Sequence, residues 1–176
     1  MAELASVRWP EKYLPGLTDN FASNEIVVQG LTDQDVWPLI TDTSKWAEYY
    51  DNVGNITFPD GDNGPHLRAN MNFKFGTFGF PSIDARVIDF QPPTENRGGS
   101  SDVGRISWTA KQLPELDVMH AWLFENLPQD RVRILTQESQ LGSAAVKLAK
   151  QKPNPMINGH QDWLEGLRDY ALQKKE

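Results

Sequence analysis

HAWLFENLPQDRVRILTQE, residues 120 to 138, decides how the rest of the chain is read. Pro128, Gln129 and Asp130 make a turn-forming centre, and aromatic and β-branched residues flank it on both sides, which is the pattern of two strands joined by a hairpin. If the chain turns through those three residues, Phe124 faces Ile134, Trp122 faces Thr136 and His120 faces Glu138. A slip of one residue would set Phe124 against Arg133, so apolar matching selects the first register. Side chains alternate along a strand, which puts His120, Trp122 and Phe124 on one face. Counting back through the preceding turn, QLPEL, sets Trp108 beside His120 and Ile106 beside Trp122.

The same period of two appears upstream in HLRANMNFKF, residues 66 to 75. There Leu67, Ala69, Met71, Phe73 and Phe75 alternate with polar residues, which predicts a half-buried strand sharing the inward face. Further strands are expected near 52 to 58, 82 to 91, 103 to 110, 117 to 126 and 131 to 140, separated by turn-rich segments. Consecutive short connections of this kind make an antiparallel meander. FASNEIVVQG, residues 21 to 30, supplies a first strand before it. The polar loop from Gln91 to Asp102 carries two prolines and two glycines, and is expected to be the most mobile stretch after the termini.

Helical spacing occupies three other places. Thr32 and Asp35 form a capping box and Leu31 and Val36 a hydrophobic staple, so a helix starts there; Pro38 keeps it short or kinks it. A second short helix, about Thr43 to Tyr50, carries Trp46, Tyr49 and Tyr50 on neighbouring faces. After a small-residue piece broken at Pro153, Asn154 caps a long helix that runs to about Gln173 and bears one stripe of Met156, His160, Trp163, Leu164, Leu167 and Ala171. Gly159 and Gly166 each weaken this helix by about 1 kcal/mol relative to Ala, so packing against the sheet must hold it. Residues 1 to 20, with Trp9, Tyr13 and two prolines, are too aromatic for a free tail and read as a strap lying on the domain.

Strand, two short helices, six-stranded meander and long final helix: this order resembles the START-like superfamily, also called SRPBCC or helix-grip. DVWPLITDTSKWAEYY, HAWLFENLPQDRVRILTQESQLG and GHQDWLEGL look like its bacterial polyketide cyclase/dehydratase branch. The resemblance covers about residues 21 to 174 and divides the chain into a strap, 1 to 20, and one START-like domain, 21 to 176. It implies an α+β fold in which a curved antiparallel sheet of about seven strands grips the C-terminal helix around an internal cavity. In relatives such cavities take sterols, lipids, polyketides or other hydrophobic ligands, and no catalytic signature is shared across the superfamily.

Composition bounds the function. In 176 residues, 39% are hydrophobic, 23% are charged and there are six Trp and eight Phe, which is enough for one core. A formal charge of −7 leaves no basic surplus for phosphates, so nucleic acid and anionic membrane are poor partners. No run of apolar residues is long enough for membrane insertion. The absence of Cys removes disulfides, thiolate nucleophiles and Cys-based metal sites and is compatible with a reducing compartment; with no signal-like start, the expected location is cytoplasmic. His66, His120 and His160 lie on three elements without HExxH or His-x-His spacing, so no metal is expected, and no cofactor motif occurs.

One constellation could do chemistry: His120 beside Glu138 on an aromatic wall, where a carboxylate would hold the imidazole and raise its basicity. A structural polar pair is the alternative reading. The candidate ligand wall comprises Trp46, Tyr49 and Tyr50 from the paired helices, Leu67, Met71, Phe73 and Phe75, then Ile106, Trp108, Trp122, Phe124, Ile134 and Thr136, and His160 from the last helix. Three functions remain open: a carrier or sensor for an apolar small molecule, an enzyme of cyclase, dehydratase or hydrolase type using His120, and a protein-interaction module. Ligand identity and oligomeric state are not legible.

Overall fold

A computed structural model describes residues 3–59, 61–94 and 103–176. In chain order its elements are β1 (Asn20–Gln29), α1 (Asp33–Thr41), α2 (Trp46–Tyr49), β2 (Gly54–Thr57), β3 (Asn72–Thr77), β4 (Phe80–Gln91), β5 (Gly104–Gln112), β6 (Leu116–Leu127), β7 (Arg131–Leu141), α3 (Ser143–Lys150) and α4 (Pro155–Lys175). The strands form one antiparallel sheet in the order β1-β7-β6-β5-β4-β3-β2, which is a meander with the first strand folded back onto the last.

The register follows the apolar matching. Phe124 opposes Ile134, Trp122 opposes Thr136 and His120 opposes Glu138, with Gln129 and Asp130 taking the positive φ of 66° and 54° that close the turn. One strand back, Trp108 opposes His120 and Ile106 opposes Trp122. The inward face carries the core, and α4 lies against it with Met156, His160, Trp163, Leu164, Leu167 and Ala171 all buried. Asn154 caps the helix by accepting from the Met156 N–H at 3.0 Å. At α1, Asp35 Oδ2 accepts from the Thr32 N–H at 2.7 Å and from its hydroxyl at 3.0 Å.

HLRANMNFKF differs from the expected strand. Pairing begins only at Asn72, because Arg68 to Met71 close a turn in which Asn70 takes φ 62° and the Met71 N–H donates to the Arg68 carbonyl at 3.2 Å. Leu67, Met71, Phe73 and Phe75 are nevertheless buried, whereas Ala69 is exposed at the turn. The expected strand at 52 to 58 is reduced to Gly54–Thr57. The loop read as mobile lies, from residue 95 to 102, outside the described residues.

The segment before β1 packs on the outer face of β6, β7 and the start of β5, while outward residues of β3 and β4 such as Lys74 and Arg86 stay exposed. Ala5 packs with Val103, Leu123 and Leu135, and Tyr13 packs with Met119 and Ala121, residues that alternate with the inward-pointing His120, Trp122 and Phe124. Polar ties hold the segment: Tyr13 Oη donates to Asp117 Oδ1 at 2.7 Å, Lys12 pairs with the same carboxylate, and Arg133 Nη1 donates to the Ala5 carbonyl at 3.0 Å.

Candidate functional site

Glu138 on β7 and His120 on β6 are directly opposed, and the stripe of α4 brings His160 down onto both. The two imidazoles stack, with ring centroids 4.5 Å apart and 18° between planes. Glu138 Oε2 lies 3.4 Å from His120 Nδ1 and 3.2 Å from His160 Nε2. All three residues are buried. Trp108 stands edge-on to His120 at 5.1 Å, and Trp163 edge-on at 5.7 Å.

A chain of side-chain amides runs from this cluster to the start of α4. Gln140 Nε2 donates to Glu138 Oε1 at 2.6 Å, Asn20 Nδ2 to Gln140 Oε1 at 2.7 Å, and Asn154 Nδ2 to Asn20 Oδ1 at 2.8 Å. Asn154 is the residue that caps α4, so the helix is indexed onto the sheet through the site's own carboxylate. Such networks are rigid when fully satisfied.

The protonation state follows from these partners. Burial, then the neighbouring His160, pushes the His120 imidazole down to about 3 against the pull of Glu138, so it is neutral at physiological pH. Burial alone would raise Glu138, but His120, His160 and Gln140 overcome it and hold the carboxyl below its ordinary range. An ionised Glu138 accepts an N–H from each imidazole. His160 therefore presents Nε2–H to Glu138, and His120 presents Nδ1–H, leaving its Nε2 to accept from the Thr136 hydroxyl at 2.7 Å. Among the described residues, His160 Nδ1 and Trp108 Nε1 are both buried and have no hydrogen-bond partner.

Both of those residues line a cavity of about 30 Å³ between the β3–β7 part of the sheet and the first turns of α4. Its wall is otherwise mostly apolar, with Phe75, Phe78, Phe80, Ile83, Leu116, Val118, Met156 and Trp163 among the lining residues, and Glu138, His120 and Gln140 form its polar end. Every lining residue is buried except Thr77, Phe78, Phe80 and Leu148, which are half-buried and form the rim toward solvent.

Of the residues expected at the ligand wall, Phe75, Trp108, His120, Glu138 and His160 line this cavity. Trp46, Tyr50, Leu67, Met71, Phe73, Ile106, Trp122, Phe124, Ile134 and Thr136 instead belong to the packed interior, and Tyr49 is half-buried at its edge. Aromatic packing fills the space they were expected to leave. Trp46 stacks on Trp108 at 5.6 Å and donates from Nε1 to the Ile40 carbonyl at 2.9 Å; Tyr50 stacks on Trp163 at 4.5 Å; Trp37 lies edge-on to Phe124 at 5.9 Å. Ala110, Val118 and Gln140 could have been found by continuing the alternation from Trp108, His120 and Glu138. Phe78 and Phe80 sit in a segment that reads only as a turn, GTFGFP, and gave no such signal.

Counting along the chain also misses that His120, Glu138 and His160 bring three metal-ligand atoms within 4.8 Å of one another. An imidazole binds a metal through the lone pair in its ring plane. Two rings stacked 18° from parallel aim those lone pairs side by side, so a single ion would lie well out of at least one plane. The cluster suits proton sharing better than ion binding. His66 is far from it in role, an exposed partner of Asp42 at 3.7 Å.

No protein-family profile matches the chain, and no curated protein does. Solved structures do. A hypothetical protein of Helicobacter pylori is similar with a TM-score of 0.86 and 44% identity, over 97% of this chain and 99% of that one. A START superfamily protein of Mycobacterium smegmatis superposes with a TM-score of 0.57 at 9% identity, over 87% of this chain and 97% of that one. A point mutant of Thalictrum flavum norcoclaurine synthase, in complex with a transition-state analogue, does so at 0.57 and 11%, over 89% and 96%. Likeness at those low identities speaks for the fold alone. The chain belongs to one family with the Helicobacter pylori protein, and the fold of that family is the START-like helix grip.

Proposed function

We propose that the protein binds a small, largely apolar molecule in the cavity under α4, as a carrier or sensor in the cytoplasm. The observation that carries this reading is the division of the wall: mostly apolar side chains around one end built from His120, Glu138, Gln140 and His160. Ligand sites combine an apolar surface with a few fixed polar groups in this way. Size narrows the class. A cavity of about 30 Å³ has room for about two waters, so anything larger displaces the half-buried rim of Phe78, Phe80 and Leu148. A small aromatic metabolite needs a modest displacement; a lipid or polyketide needs a large one. Native mass spectrometry of protein purified from its own organism tests the reading directly. A retained small molecule supports it, and an empty protein that also fails to take up small aromatics from a mixed library overturns it.

A second reading, an enzyme moving a proton, is favoured by one observation: the His160 ring is held by Glu138 with its other nitrogen unused. That is how a carboxylate orients a catalytic imidazole. Norcoclaurine synthase lends only a fold-level analogy. Replacing His120 with Gln separates the readings, because a carrier loses affinity modestly whereas an enzyme that needs the His pair loses turnover.

A further inference from the structure

We infer that α3 and the segment after it form a docking face for an anionic lipid surface. The inference goes beyond the binding reading and stands on surface charge, not on what the cavity holds. From Ser139 to Gln161 the chain carries Lys147, Lys150 and Lys152 and no acidic residue, in a protein whose formal charge is −7. All three lysines are exposed, and none has an ion-pair partner among the described residues. Lys12, Lys45, Lys74 and Lys175, by contrast, are each paired with a carboxylate. Because α3 buries Ala145, helical spacing puts Val146, Lys147 and Lys150 together on its outer side, and Ile157 is exposed on the first turn of α4. Asp19 and Glu115 meet the segment at its other end, where the Gly142 N–H donates to Asp19 Oδ2 at 2.8 Å and the Ala144 N–H to the Glu115 carbonyl at 3.0 Å.

Charge counted over the whole chain argues against an anionic partner, but placement decides. A charge acts on a surface only within about a Debye length, roughly 8 Å at physiological salt, so a docked face is governed by its own lysines. Each lysine near an anionic bilayer strengthens binding about fivefold, and three together about a hundredfold. The residue type selects lipid over an acidic protein. Protein interfaces favour Arg, whose planar fork fixes a geometry, and are poor in Lys. Flexible point charges beside exposed Val146 and Ile157 suit a surface whose phosphates are mobile. The acidic remainder of the molecule is repelled and turns this face toward the lipid. Leu148, on the same helix, belongs to the cavity rim, so docking here holds the mouth within about one helix diameter, roughly 10 Å, of the bilayer.

The test is flotation of the intact protein with vesicles of phosphatidylcholine alone and of phosphatidylcholine with phosphatidylglycerol in roughly equal parts, at low and at physiological salt. The expected result is binding to the mixed vesicles, weakened by salt, and none to phosphatidylcholine alone. Lys150→Gln should weaken it about fivefold, and the triple variant Lys147→Gln, Lys150→Gln, Lys152→Gln about a hundredfold. Lys174→Gln makes the same change in net charge near the far end of α4, roughly 30 Å from its start, and should leave binding unchanged. The substituted lysines are exposed, so the variants keep the fold, which circular dichroism checks. Absence of binding to the mixed vesicles at low salt overturns the inference and leaves an acidic protein as the partner for the three lysines. Equal binding to phosphatidylcholine alone overturns it too, because the contact is then apolar adsorption. Equal losses in Lys150→Gln and Lys174→Gln, or full binding by the triple variant, overturn the assignment of the face. These outcomes leave the cavity reading untouched, so its failure is told apart by the native mass spectrum.

Discussion

Folding changes the acid–base chemistry of His120. In an unfolded chain an imidazole titrates near 6.5. In the fold, burial and His160 take it down to about 3. Between those values the unfolded chain binds a proton that the native state refuses, so stability falls as pH drops from about 6.5 toward 3, by up to about 1.4 kcal/mol per pH unit for one proton. Glu138 acts in the same direction further down: its depressed carboxyl contributes stability above its ordinary range, and this is lost as pH falls through the folded value. Urea midpoints measured from pH 8 to 4 should therefore be level above 7 and decline below 6.5, and His120→Gln should flatten the upper part of the decline. A wild-type midpoint that stays level down to pH 4 would contradict a neutral His120. Trp163 makes the second prediction at this scale. It touches Trp46, Tyr50, Trp122 and His120 with ring separations of 5.2, 4.5, 5.1 and 5.7 Å, so it ties helix, sheet and site together. Truncation to Ala should cost about 3 to 5 kcal/mol in denaturant melts; a cost below about 1 kcal/mol would mean the interior closes over its loss.

At the scale of elements, strands and register were legible because a one-residue slip reverses every side chain, and only one register pairs Phe124 with Ile134. The stripe of α4 was legible for the same kind of reason, every member being buried in the fold. What α4 would meet was not legible. His160 lies on the stripe, but its partnership with His120 and Glu138 depends on how the sheet curls and how the helix is rolled, and those are properties of the assembled layers. The turn at Arg68 to Met71 was missed because Leu67 and Met71 point inward on either side of it, which preserves an alternation without a strand. Gly166 shows a helix position decided by a neighbour: it was read as a weakness, yet a Cβ there would collide with the Tyr49 carbonyl oxygen, so the absent side chain is what lets α2 approach α4. Gly166→Ala should therefore lower the thermal midpoint, although propensity alone favours Ala by about 1 kcal/mol. A rise in midpoint would show that the two helices can separate at little cost.

For the molecule as a whole, the question is how a ligand reaches a cavity whose wall is buried apart from its rim. The core beyond Trp108 is filled by Trp46, Phe73 and Trp122, so the rim near α3 and the β3–β4 turn is the open side. Phe78 is its most conspicuous member. Its backbone takes φ 48°, a left-handed conformation that aromatic residues seldom adopt, and its ring lies over Gly159 and edge-on to His160 at 6.2 Å. Asn52 holds the turn in place: its carbonyl accepts from the Thr77 hydroxyl at 2.7 Å and its side-chain oxygen from the Phe78 N–H at 3.0 Å. A half-buried ring on a strained turn, held by one neighbouring residue, can move aside more cheaply than any buried part of the wall. Phe78→Ala should then cost little stability, about 1 kcal/mol or less, while raising the association rate of a small aromatic such as fluorobenzene several-fold in stopped-flow tryptophan fluorescence. Asn52→Ala should also raise it, by loosening the turn without removing the ring. If neither variant changes the rate and Leu148→Ala does, the ligand passes on the α3 side instead, and the ring of Phe78 is a fixed part of the wall.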